Sequence, residues 1–128
     1  MTSRIIQTDL APAAIGPYSQ AVCAGGFVFS AGQIGLDPAS GEIVGGGVVA
    51  EALQAITNLE AVLAAAGCSL GDVVKTTLFL ADMRDFTAVN GVYDSRFSAP
   101  YPARSAVEAS SLPKGALFEI EAVALLPG

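Results

Sequence analysis

Histidine is absent from the 128-residue chain, and with it the commonest general base and metal ligand of proteins. Serine–histidine and cysteine–histidine catalysis are therefore excluded within one chain. Cysteine occurs twice, at Cys23 and Cys68, a spacing that forms no zinc motif and reads as two reduced, buried thiols. Charge is scarce, at 14% of residues where an average domain carries about 25%. What charge there is sums to −6, without a Lys/Arg cluster. Nucleic-acid binders draw most of their affinity from neutralising phosphates, so this balance weighs against an RNA or DNA partner. Apolar runs are short of the ~18 residues that a membrane span requires. The opening "MTSRIIQTDLAP" lacks the apolar core of a signal peptide. Repeats, low-complexity tracts and linkers are missing too. The expectation is one soluble, cytoplasmic domain over residues 1–128, with no membrane partner.

Apolar residues, by contrast, make up 52% of the chain. Such an excess without a membrane segment implies surface buried against further copies of the same chain. The dipeptide Gly25-Gly26 in "AVCAGGFVFSAGQIG" predicts a hairpin between two short strands. Ala52, Leu53, Ile56, Leu59 and Leu63 fall at helical spacing and Gly67 follows as a stop, which predicts a helix over about residues 48–66. "DVVKTTLFLA" reads as a buried strand. Asp85 is placed to cap a second helix with the stripe Phe86, Val89, Tyr93 and Phe97, ended by Pro100 and Pro102. "ARSAVEAS" and "ALFEIEAVALL", either side of "LPKG", are expected to close the fold as a hairpin. In the last strand Phe118, Ile120, Ala122 and Ala124 form an apolar row beneath the helices, which turns Glu119 and Glu121 to the other face. Arg104, Ala106 and Glu108 share one side of the neighbouring strand, but alternation alone does not say which.

Arg104 is the residue that asks for a reason, because it interrupts a run of small residues in a chain with six basic side chains. It is either a surface residue on an edge strand or a fixed fork for an anion. A planar guanidinium can hold a planar carboxylate by two parallel hydrogen bonds.

"APAAIGPYSQAV", "AGQIGLDP", "DVVKTTLFLADMRDFTAVN" and "YPARSAV" with "LPKGALFEIEAVA" occur in this order along the chain. Together they resemble the RidA/YjgF family of imine deaminases over about residues 5–125. The resemblance implies an α+β fold: a single mixed sheet with two helices on one face, chorismate-mutase-like, in the order βββαβαββ. It also implies a homotrimer with ligand clefts between subunits. The implied reaction is hydrolysis of 2-imino acids, such as 2-iminopropanoate and 2-iminobutanoate, to 2-keto acids and ammonia, without metal or organic cofactor. On the family's pattern Arg104 binds the substrate carboxylate, Glu119 positions the attacking water and Tyr18 closes over the ligand. Glu121 is the alternative carboxylate. Gly32 lets backbone approach the ligand, Phe86 and Asn90 line the cleft, and Ala106 offers its backbone. Phe86 fits the helix's core stripe equally well. Ala31 stands where the family usually has serine, and Ser30, one residue earlier, is expected on the opposite face of its strand. Two other functions stay open: RNA cleavage with translation inhibition, and non-catalytic binding of small carboxylates.

Overall fold

In the computed structural model, which describes residues 3–128, four strands precede the first helix. They are β1 (Arg4–Ile6), β2 (Ala21–Ala24), β3 (Phe27–Ser30) and the two-residue β4 (Gln33–Ile34). Helix α1 (Gly47–Ala65), strand β5 (Val73–Leu80), helix α2 (Phe86–Arg96) and strands β6 (Ala103–Glu108) and β7 (Phe118–Leu125) follow. All seven strands form one sheet, in the order β1-β2-β3-β7-β5-β6, with β4 also paired to β7. The sheet is mixed, because β5 and β6 run parallel while the other pairs are antiparallel. The order is close to the expected βββαβαββ and differs by β4, which is too short to leave a pattern in the sequence.

One face of the sheet is the core. Phe118, Ile120, Ala122 and Ala124 are buried there with Val28 and Leu78, beneath Ile56, Leu59 and Leu63 of α1 and Val89 and Tyr93 of α2. Full burial of the Val, Leu, Ile and Phe side chains among them contributes about 1.5–3 kcal/mol each. Leu53, expected in the stripe of α1, is 41% exposed, and Ala55 and Val62 take the inward positions instead. The helix stops where Gly67 predicted: its N–H donates to the Ala64 carbonyl and that of Cys68 to the Leu63 carbonyl, each at 2.9 Å. Gly67 has φ 85°, which a side chain would disfavour. By length and mean hydropathy (1.4 over Val48–Ala65) α1 is apolar enough to span a membrane, although Glu51, Gln54, Asn58 and Glu60 break it into short apolar runs, as expected. Its apolar stripe is nonetheless packed on the sheet.

Two further expectations are corrected. β6 and β7 do not form a hairpin, since β5 lies between them: Thr76 pairs with Arg104 on one side and Ala122 on the other. The α2 crossover delivers β6 parallel to β5 at the sheet edge, and the chain must then pass back to reach β7. Asp85 occupies the position before α2 but its side chain makes no capping bond. Asp82 caps the short turn ahead of it, accepting from the Arg84 N–H at 2.9 Å.

Buried polar side chains fix the loops that matter for the site. Asn58 of α1 donates to the carbonyls of Ile34 (3.0 Å) and Leu36 (2.8 Å) and accepts from Gln54. Gln20 accepts from the Thr8 N–H (2.7 Å) and donates to the Thr8 and Pro12 carbonyls. Gln20 thereby ties the Thr8–Pro12 segment to the start of β2.

Candidate active site, divided between two faces of the sheet

Residues in register on neighbouring strands point to the same face. Arg104 is opposite Thr76 and Ala122, on the helix face, whereas Glu119 is opposite Phe79, on the face without helices. Within one chain the two residues are therefore back to back. The remaining candidates divide with them.

The first group surrounds Glu119. Tyr18, Ala31, Gly32 and Glu119 line an open groove of about 810 Å³ together with Ile15, Ile34 and Lys114. The half-buried Glu119 side chain lies across Gly32: a Cβ there would stand 2.8 Å from its Cδ and 3.1 Å from its Cγ. Only glycine lets the carboxylate cross the backbone at this point. Burial pushes the Glu119 carboxyl above the usual glutamate value, and the neighbouring Glu121 carboxylate pushes it the same way. Tyr18 is exposed at the groove. Ala31 lines it without a hydroxyl. Ser30 points the other way, as alternation predicted, and its Oγ accepts the Ala122 N–H at 2.9 Å.

The second group surrounds Arg104. Its guanidinium carbon lies 4.8 Å from the centroid of Tyr93 and 5.3 Å from that of Phe86. Nη1 donates to Asn90 Oδ1 at 2.8 Å. Arg104, Asn90, Tyr93, Asp94 and Tyr101 line a cavity of about 390 Å³. Cation–π contacts are worth about 0.5–1 kcal/mol when exposed and about 2 kcal/mol when dry, so two rings are a substantial clamp. Among the described residues neither Arg104 nor Glu119 belongs to an ion pair. The guanidinium is thus held by neutral partners, with donors left for an anion. Ala106, two residues on, is half-buried on the same face, against the core rather than in the cavity.

Among the described residues no three His, Cys, Asp or Glu side chains converge as a metal site would need. Both thiols are buried, and Cys68 bonds the Leu125 carbonyl.

A family model described as Endoribonuclease L-PSP matches residues 8–126. The chain belongs to this family, RidA/YjgF. Among RidA/YjgF proteins, a 2-iminobutanoate/2-iminopropanoate deaminase from Capra hircus is 54% identical over 125 residues, covering 98% of this chain and 91% of that protein. A RutC family protein from Synechocystis is 57% identical, covering 99% of both chains. The crystal structure of E. coli TdcF with bound serine superposes with a TM-score of 0.89 at 43% identity, covering 97% of this chain and 99% of that one.

Sequence reasoning within the RidA/YjgF pattern missed part of the Arg104 surroundings. Tyr93 reads as core, and it is buried, yet its ring face also supports the guanidinium. The signal was its spacing: Phe86, Asn90 and Tyr93 lie at i, i+4 and i+7, on one helical face. Ile15 and Lys114 carried no such signal, because the groove joins loops far apart in the chain.

Proposed function

We propose that the protein hydrolyses 2-imino acids such as 2-iminopropanoate and 2-iminobutanoate to 2-keto acids and ammonia, without metal or organic cofactor. The observation that carries this reading is Arg104, clamped by Phe86, Tyr93 and Asn90 and free of any acidic partner. Membership of the RidA/YjgF family and the mammalian deaminases at this identity support it. Arg104 takes the substrate carboxylate as a two-pronged ligand. Glu119 orients a water toward the imine carbon, and Tyr18 and Phe86 shelter the site. The water oxygen adds to that carbon while the C=N pair moves to nitrogen and is protonated. Collapse of the hydroxyl to a carbonyl breaks the C–N bond, and ammonia leaves. Water supplies every atom that the product gains. Orientation in a dry cleft lowers the barrier, and no imidazole is required.

Because Arg104 and Glu119 face opposite ways in one chain, the reading places each working site between subunits of a homotrimer. Arg104, Phe86, Asn90 and Ala106 come from one copy and Tyr18, Ala31, Gly32 and Glu119 from the next. Exposed Ile5, Phe29 and Val107 on the helix-free face supply apolar surface for such an assembly.

A coupled assay tests the proposal. Threonine dehydratase generates the imine and semicarbazide traps what is not hydrolysed, with wild type and Arg104→Ala run side by side. Suppressed trapping by wild type alone is expected. Trapping that neither protein suppresses would discard the deaminase reading, leaving a carboxylate binder. RNA cleavage that survives in Arg104→Ala would mark a separate activity.

A further inference from the structure

Arg104 sits on an edge strand, where a long side chain ordinarily samples many rotamers and loses entropy when a ligand fixes it. Here its neighbours form a closed circuit. Thr76 lies directly across from Arg104 in the parallel β5–β6 register. The Thr76 Oγ1 and the Tyr93 hydroxyl are bonded at 2.9 Å, both buried. The Tyr93 ring stacks on Phe97 with centroids 4.3 Å apart, and its other surroundings include the Arg104 guanidinium, 4.8 Å away. Phe86, the second ring, is only half-buried, so it lacks this anchorage.

We propose that Tyr93, locked by Thr76 and Phe97, is the positioning residue that holds the Arg104 guanidinium ready for a carboxylate. The inference rests on the reading of Arg104 as a carboxylate fork and assigns its rigidity to the core. A guanidinium held over ring faces keeps N–H groups free to donate to a carboxylate. Asn90 takes one further N–H of the group and sets its rotation. Tyr93 acts on the ligand through Arg104, although its ring also lines the cavity. Its role is to make the binding geometry exist before the ligand arrives.

The test uses 2-ketobutyrate as a binding probe, by titration calorimetry, beside steady-state kinetics on the imine. Tyr93→Leu removes the ring and is expected to weaken 2-ketobutyrate about tenfold, raising KM equally and leaving kcat within about twofold. Tyr93→Phe keeps the ring but loses the bond to Thr76, and is expected to weaken 2-ketobutyrate about threefold, less than the leucine variant. In an Arg104→Lys background, which lacks the planar group, Tyr93→Leu should change affinity by less than about twofold, since the two residues act as one unit. Wild-type affinity in Tyr93→Leu, or the same loss in both backgrounds, overturns the inference. Should the leucine variant not fold, Thr76→Val frees the phenol with little change of shape. A dissociation constant raised about threefold then supports the proposal, and an unchanged one overturns it. Binding of 2-ketobutyrate without imine turnover would remove the deaminase reading and leave this inference standing.

Discussion

Glu119 joins a half-buried carboxyl to a glycine that makes room for it, and both can be tested. A carboxyl whose folded pKa exceeds its unfolded value contributes fully to stability below about pH 4.5, and that contribution is lost as pH rises through the raised value. Glu119→Gln removes the loss, so its stability relative to wild type should improve from pH 3 to pH 7, as urea denaturation at both values would show. In the proposed mechanism the ionised form orients the water. The acid limb of kcat/KM should accordingly lie above the ordinary glutamate range, and it should vanish in Glu119→Gln as the rate falls roughly 10²–10⁴-fold. Gly32→Ala forces the Glu119 side chain aside. Circular dichroism should show the native fold while imine hydrolysis drops by at least about tenfold. At this scale the sequence was most legible where a residue type is chemically rare in its surroundings. Arg104 stood out among small residues, while Tyr93 was hidden by its second duty in the core.

Among the elements, β4 and the loop after it depend on a single buried amide. Asn58→Ala would leave the Leu36 carbonyl without its side-chain donor, while the Ile34 carbonyl would keep only the Leu36 N–H. The expected cost is about 1–3 kcal/mol in urea unfolding, the penalty for one buried carbonyl that loses its donor. Periodicity revealed both helices to within a residue or two at their starts, because each buries one stripe. It also revealed the apolar row of β7. The misplaced β6–β7 hairpin shows where local pattern ends. Two strands joined by a short connection look adjacent, but β5 offers β6 a parallel edge through the α2 crossover, a choice made by long-range pairing. The same limit applies to Arg104, whose face was undecidable until β6 had a partner.

For the molecule as a whole, the proposed homotrimer predicts subunit complementation. Arg104→Ala and Glu119→Gln each disable a different half, so every site in either pure variant is dead. Unfolded together and refolded as a random mixture, they should regain activity at about one site in four, where both halves are wild type. Mixing without subunit exchange should restore nothing. A site complete within one chain would leave even the refolded mixture inactive.

The Ser30 hydroxyl bonded to the Ala122 N–H bears on how this half-and-half arrangement is kept honest. It occupies the seam where β3 hands its place beside β7 to β4, so it sets the face on which the next residues emerge. A one-residue slip there would turn the helix-facing serine into the groove and carry the groove's alanine into the core. The hydroxyl thus acts as a reading frame for the fold: it counts residues along the chain, and in the proposed homotrimer the next copy meets the correct half of the site only if that count is right.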